Sequence, residues 1–525
     1  MMSVSEMVVL ALVVLLICAA SVSAAGKTTS ITVHPTDEKQ VMHSFGASDC
    51  WTCQFVGNWP DAKRNQMADL LFSMDTDAKG NPKGIGLSMW RFNVGAGSAE
   101  EGDASGIRSS WQRAECFQKP DGSYDWSKQK GQQWFLQAAK SRGVPYLLAF
   151  TNSPPVQFTR SGMARSDGHD RMLNIRKDAM PKFADFLVEV AEHFRKQGLP
   201  FDYLSPINEP QHPWETEKQE GSPATNDDIA EIARLLGQRL HDRGLTTKVA
   251  VAEAGALYYV SGPRGDNKAA DQAKAFFAPA SQDYIGDVPN LAHMISGHSY
   301  FTTWPISTQL STREALAKRL AEIDPKLAFW QTEFCILEKN DEIGQGGGRD
   351  LGMDTALYVA RVIHSDLTIA NASHWSWWLG VSAGDFKDGL VYIEPENGGG
   401  RESLEHDGKV LPSKLLWAMG NYSRFIRPGM VRVDVAYDDN RSALDAATGV
   451  MASAYVDKKA KRLVVVLINC SKESQTIKVN GGPWVTYTTS ESSDLARGSA
   501  PAGEIEMPAR SVVTAIADFR FSIAD

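Results

Sequence analysis

Eight short apolar runs recur along the first four fifths of the chain, at 44–47, 86–92, 146–150, 203–207, 248–252, 294–299, 328–332 and 372–377. Between them lie stretches with helical spacing. Phe183, Phe186, Leu187, Val190, Ala191 and Phe194 fall on one face, as do Ile229, Ile232, Ala233, Leu236 and Leu240. Residues 314–323 and 357–369 continue the rhythm. A strand followed by a helix, repeated, makes parallel βα units. Their strands are buried on both faces and read as near-continuous apolar runs. Eight such units predict an α/β fold, a (β/α)8 TIM barrel with long loops, over residues 41–420.

The pattern changes after residue 421. Short β runs at 431–435, 452–456, 463–468, 476–479, 485–489 and 512–516 alternate with Asn, Gly, Ser and Lys clusters, and no helical period shows. This predicts an accessory antiparallel β-sandwich of about 100 residues. Ile31-Thr-Val-His34 alternates like a strand and is expected to join it, so that 25–40 and 421–525 form one side domain. Gly346–Gly348 and Gly398–Gly400 read as flexible loop tips.

At the N-terminus, an apolar run over 7–20 precedes Val22-Ser23-Ala24, a small-residue cleavage pattern. Residues 1–24 are expected to be a secretory signal, giving a secreted or periplasmic protein. Surface anchoring through this segment, by lipid on Cys18, is the alternative. No later run reaches the ~18 apolar residues of a spanning helix, so no membrane insertion is expected after signal removal. The net charge of −9 argues against a nucleic-acid partner. Six cysteines occur, at 18, 50, 53, 116, 335 and 470. Without Cys18 the number is odd, which suits one disulfide or buried thiols rather than a full framework. The Cys50-Thr-Trp-Cys53 spacing has no second pair to complete a metal site, and no metal is expected.

In such a barrel the active site lies at the C-terminal strand ends. Those ends carry Arg91-Phe-Asn93, Thr151-Asn152-Ser153, Asn208-Glu209, Glu253, His298-Ser-Tyr300, Gln331-Thr332-Glu333 and Trp375-Ser-Trp377-Trp378. Glu209 and Glu333, on the fourth and seventh strands, stand out. Two opposed carboxylates are what glycoside hydrolysis needs. One protonates the leaving oxygen, and the other attacks the anomeric carbon or activates water. For Glu209, flanked by Pro206 and Pro210, a solvated turn is the competing reading. A charge ending the apolar run 328–332 is costly unless paired, which favours a role for Glu333. Glu253 reads as a hydrogen-bonding or structural acid.

The Asn-Glu and Thr-Glu pairs, with Ser44-Phe-Gly-Ala-Ser-Asp49 and Ser153-Pro-Pro155, together resemble glycoside hydrolase family 30. That family belongs to the clan of barrel enzymes with catalytic acids on strands four and seven, and carries a β-sandwich built from both chain ends. The resemblance implies Glu209 as acid/base and Glu333 as nucleophile, with retention of configuration and no cofactor. It implies that Arg91 keeps Glu333 ionised, that Tyr300 donates to Glu333, and that Asn208 meets the hydroxyl beside the reacting carbon. The substrate-binding set is expected to be Asp49, Trp51, Arg91, Asn152, Asn208, His298, Tyr300, Trp375, Trp377 and Trp378, with one of the last two tryptophans facing away. Thr151-Asn152 departs from the family's commoner aromatic before the Ser.

The strings Asp388-Gly-Leu-Val-Tyr-Ile393 and Gly420-Asn-Tyr-Ser-Arg-Phe-Ile-Arg-Pro-Gly429 look most like the endo-β-1,6-galactanase branch. The expected substrate is therefore a galactan or arabinogalactan side chain. A β-1,6-glucanase or xylanase with the same acids is the alternative within the class. A non-catalytic carbohydrate-binding protein is the alternative outside it, although recognition alone needs no acid and nucleophile.

Overall fold

The computed structural model describes residues 27–518, apart from Asn397 and Ala502. The expected signal segment, with Cys18, lies outside them. A first strand, β1 (Lys27–Val41), leads into β2 (Ser44–Ser48), β3 (Met89–Asn93), β4 (Tyr146–Phe150), β5 (Tyr203–Ser205) and β6 (Lys248–Val249). Then come β7 (Met294–Gly297), β8 (Ala328–Gln331) and β9 (Ala372–Ser382). Strands β2 to β9 answer to the eight predicted runs. They pair in parallel from β2 to β6, and from β7 through β8 and β9 back to β2. The β6–β7 seam is carried by two parallel bridges, Val249 to Leu291 and Ala254 to Gly297. The ring is a (β/α)8 barrel.

The helices cover it as their spacing requires. Met180–Lys196 buries Phe183, Phe186, Leu187, Val190, Ala191 and Phe194. Asn226–Asp242 buries Ile229, Ile232, Ala233, Leu236 and Leu240. It starts at a capping box in which Thr225 and Asp228 each satisfy the other's backbone N–H, so the first turn loses no hydrogen bond.

Past the barrel, β10 (Gly389–Glu394) and β11 (Lys409–Pro412) extend the sheet beyond β9. The accessory domain adds β12 (Val431–Tyr437), β13 (Val450–Asp457), β14 (Arg462–Asn469), β15 (Gln475–Val479) and β16 (Trp484–Ser490). It ends with β17 (Ser493–Ala500), β18 (Glu504–Met507) and β19 (Ser511–Asp518). β1 joins it, antiparallel to β12 and parallel to β15. All nine strands share one hydrogen-bonded, mostly antiparallel sheet. Ile31, Val33, Ile477 and Met507 on one arm pack with Val465, Leu467, Trp484 and Val513 on the other, so the sheet folds over on its own core.

The structure adds a helix where no helical period was read. Ala443–Thr448 is set off by a second capping box, Ser442 with Asp445. The five described cysteines are free thiols, and Cys50, Cys53, Cys116 and Cys335 are buried. Gly346 is no loose loop tip. A Cβ there would lie 2.0 Å from Phe386 and 2.2 Å from the Ile336 carbonyl, and the Gly346 carbonyl accepts from Lys387 N at 2.7 Å. Phe386 also lines the cleft described below. Gly346→Ala is therefore expected to cost about 1–3 kcal/mol of stability by overpacking, read as a lowered Tm.

Candidate active site

Just beyond the fourth and fifth barrel strands, β5 and β6, stand two acids held in an unusual backbone conformation. Glu209 has φ +44° and Glu253 φ +51°, in the left-handed region that side-chain-bearing residues rarely occupy. The Glu209 N–H donates to the Glu253 carbonyl at 2.9 Å, and the Trp214 indole donates to the Glu209 carbonyl at 3.0 Å. Such strain persists only where the surroundings over-determine it, as at functional sites. The segment around Asn208-Glu209 is tied down on both sides: the Pro206 carbonyl accepts from the Thr151 hydroxyl at 2.7 Å and the Pro210 carbonyl from the Ala224 N–H at 3.1 Å.

Across the mouth, the Glu333 carboxylate is held at both oxygens. Arg91 Nη1 donates to Oε2 at 2.5 Å, and the Tyr300 hydroxyl donates to Oε1 at 3.0 Å. A carboxylate oxygen of Glu209 and one of Glu333 lie within 4.8 Å of each other and of a His298 ring nitrogen. His298 is fully buried and bridges two acids, with Nδ1 2.9 Å from Glu209 and Nε2 3.0 Å from Glu253. Both its nitrogens thus face carboxylates, which suits an imidazolium donating two hydrogen bonds rather than a metal ligand.

The electrostatics follow. Burial alone would lower His298, but the carboxylates of Glu333, Glu209 and Glu253 outweigh it and hold the imidazole at about 9. Burial would raise Glu253, yet Arg91 and His298 hold it at about 2. Thr332 also donates to it. Glu333 goes the other way. Its burial pushes the carboxyl up, and the Glu209 charge adds to this against the pull of His298 and Arg91. Arg91 therefore acts on Glu333 with the expected sign, but it does not offset burial. If Glu333 must be ionised, activity is lost as the pH falls through its raised value. The acid limb of kcat/KM is then expected above the ordinary carboxylate range of about 4.3, as checked by a pH–rate profile.

Arg91 is the hub beneath the mouth. Its Nη2 donates to Asn208 Oδ1 at 3.1 Å and lies 3.5 Å from Glu253, and its guanidinium stacks on Phe150 at 3.6 Å. Asn208 Nδ2 donates to Asn152 Oδ1 at 3.0 Å, and Asn152 in turn donates to Asn93. An amide nitrogen carries two hydrogens, so Asn208 keeps one for a substrate hydroxyl.

A cleft of about 530 Å³ opens above these groups. Of the expected residues, Glu209, Glu333, Tyr300 and Trp378 line it, while Arg91, Asn152, Asn208 and His298 lie buried beneath. Asp49 does not reach it. Its carboxyl is fully buried, accepts from the Asn93 N–H at 2.8 Å, and is pushed by burial to about 8. Trp51 stands one layer back, edge-on to Trp378 at 5.4 Å. Trp375 and Trp377 are buried away from the cleft, their indoles donating to Asp366 and to the Asp388 carbonyl. Trp378 differs because the β2–β9 register shifts between Trp377 and Leu379, and such a bulge re-aims its side chain.

Much of the remaining wall comes from residues not expected there: Gln211, His212, Trp214, Phe301 and Phe386 on loops, and Tyr258 and Tyr259 on the short helix Leu257–Ser261. Trp214 lies flat on Gly221, where a Cβ would meet the indole at 2.3 Å. Phe301 is 54% exposed despite its size. A segment rich in aromatics beside Glu209 was the available signal. The two branch-like strings lie elsewhere. Arg424 and Arg427 bond backbone carbonyls between Ser73 and Gly86, and no residue of either string lines the cleft.

A parallel barrel with paired acids across its mouth and an aromatic-walled cleft is the arrangement of a hydrolase of glycosidic bonds. The chain belongs to O-glycosyl hydrolase family 30, whose model matches residues 28–392. A conserved exported protein of Bacteroides fragilis is 38% identical, with a TM-score of 0.89 over 93% of this chain and 100% of that one. Xylanase C of Talaromyces cellulolyticus shares the fold at 21% identity and TM-score 0.65, covering 93% of this chain and 99% of that one. An exo-β-1,6-galactobiohydrolase of Bifidobacterium longum is 26% identical over 164 residues, 24% of this chain and 10% of that relative. The match thus spans a small part of the relative's length. No helix among the described residues is long and apolar enough to cross a membrane.

Proposed function

We propose that the protein is a retaining endo-β-1,6-galactanase acting on galactan or arabinogalactan side chains. The observation that carries retention is that one carboxylate oxygen of Glu209 and one of Glu333 lie within 4.8 Å of each other. Retaining pairs stand about 5–5.5 Å apart, and inverting pairs about 6.5–9.5 Å, leaving room for a water. Glu333 attacks the anomeric carbon as Glu209 protonates the leaving oxygen. The ionised Glu209 then takes a proton from a water whose oxygen attacks the anomeric carbon, and the bond from that carbon to Glu333 breaks. Asn208 holds the neighbouring hydroxyl, and Trp378 packs against the sugar ring. Glu253 and Arg91 hold His298 and Asn208 in register with the acids.

Support for galactan comes from the branch-like strings and from the short match to the galactobiohydrolase. We assign the catalytic barrel to 41–420 and the side domain to 25–40 and 421–525. Secretion through the N-terminal segment agrees with the exported B. fragilis relative. The test is a reducing-end assay on β-1,6-galactan, β-1,6-glucan and glucuronoxylan. Release of galactooligosaccharides from the first is expected. Release from glucan or xylan alone would overturn the galactan assignment, and release from none would overturn the enzyme reading.

A further inference from the structure

A second groove, of about 690 Å³, runs along the barrel flank between the helix Lys130–Ser141 and the end of the helix Met180–Lys196. It shares no residue with the cleft around Glu209 and Glu333. Two half-buried indoles, Trp126 and Trp134, line it. Each is braced by a neighbour. Trp126 stacks on His193 at 3.8 Å and on Tyr124 at 4.9 Å, which leaves mainly its edge to the groove, and the Arg64 guanidinium covers one face of Trp134 at 4.7 Å. The indoles of Trp59, Trp214, Trp375 and Trp377 donate within the protein. Those of Trp126 and Trp134 have no such acceptor among the described residues, and they are not sealed from solvent.

Amides complete the lining. Gln133 donates to the Trp126 and Lys128 carbonyls at 2.8 and 2.7 Å, and Asn58 donates to the Gln54 carbonyl at 2.9 Å. Both keep their side-chain oxygens as acceptors. Gln137 and Gln197 stand exposed on the rim. No carboxylate lines the groove; of its two permanent cations, Arg64 is already engaged by Asp61 at 2.8 Å and Lys130 stands exposed at the rim, pointing to no anionic ligand by itself. A groove that only waits for helix packing would present aliphatic side chains along its length. This one offers aromatic surface, unused N–H donors and neutral amides.

We propose that the flank groove is a second glycan-binding site, which takes a neutral β-linked pyranose chain while the cleft cuts elsewhere on the polymer. A pyranose ring has an apolar C–H face that suits the electron-rich face or edge of an indole. Its rim is hydroxyl, and hydroxyls both donate and accept, which matches amides better than fixed charges. This rests on the carbohydrate chemistry of the family, and not on the choice of galactan.

The test uses the full chain with Glu333→Gln, so that polymer is held but not cut. Affinity electrophoresis is run in gels containing β-1,6-galactan, β-1,6-glucan or xylan. Adding Trp134→Ala is expected to weaken retention on at least one of them by about tenfold, as for one aromatic anchor. The cleft is common to both proteins, so the difference reports the flank. Gln137→Ala with Gln197→Ala, at exposed positions, is expected to weaken retention in the same direction with the core untouched. In the otherwise unaltered enzyme, both changes should leave hydrolysis of a short oligosaccharide unchanged and slow that of polymer. Equal retention of all variants on every glycan, or no retention of the parent, would overturn the proposal. Flank binding in an enzyme that does not cut galactan would overturn the galactan assignment and leave this site standing.

Discussion

Glu333→Gln is expected to abolish hydrolysis, lowering kcat/KM by about 10⁴-fold or more while leaving the fold intact. Gln keeps the shape and one acceptor oxygen, which can face Arg91, while its NH2 can donate to the Tyr300 hydroxyl oxygen in place of the bond Tyr300 gives to Glu333. What it lacks is the charge that attacks carbon. The change also removes a carboxylate that burial pushes upward, and Arg91 keeps Asn208 and Glu253 as partners, so the Tm should change little. Full activity in the variant would show that the nucleophile lies elsewhere. Loss of activity with a collapsed Tm would instead mean that Glu333 anchors Arg91.

Glu209→Gln should behave differently, because an acid matters only as much as its leaving group needs a proton. Hydrolysis of a glycan, whose leaving group is a sugar hydroxyl, is expected to fall by about 10²–10⁴-fold. An aryl glycoside with an acidic phenol leaves unaided, so formation of the glycosyl-enzyme should be nearly spared. The second step then lacks its base, and the intermediate should accumulate as a burst. Azide, which needs no base, should relieve it and yield a β-glycosyl azide. Equal losses on both substrates, with no burst and no azide effect, would remove Glu209 from the acid/base role. His298, buried between Glu209 and Glu253, makes the rest of the site ready for either outcome by fixing where Glu209 points.

The barrel was legible because parallel strands are buried on both faces. All five positions of β2 and of β3 are buried, and they read as apolar runs without any alternation to interpret. β17 was not legible. Its Ser493–Ala500 segment has no β-branched or aromatic residue and lies at one end of the sheet, held by backbone pairing to β16. The helix Ala443–Thr448 was missed because it is too short to show a period, although Ser442 and Asp445 carried its cap. In the site, Glu209 and Glu333 could be read because a strand end fixes where a residue stands. Which tryptophan faces the cleft could not be read. Alternation along β9 puts Trp375 and Trp377 on one face, and only the bulge, a property of the pairing with β2, brings out Trp378. The wall of Trp214, Tyr259 and Phe301 depends on where long loops fold back, which no local pattern encodes.

The most direct test of the two-glutamate double displacement is the anomer first released. β-1,6-Galactooligosaccharide is hydrolysed in an NMR tube, and the anomeric proton of the new reducing end is followed before mutarotation. The expected result is the β-anomer first, with the α-anomer rising only as the sugar equilibrates. The α-anomer appearing first would mean a single inverting displacement, and would contradict the roles given to Glu209 and Glu333.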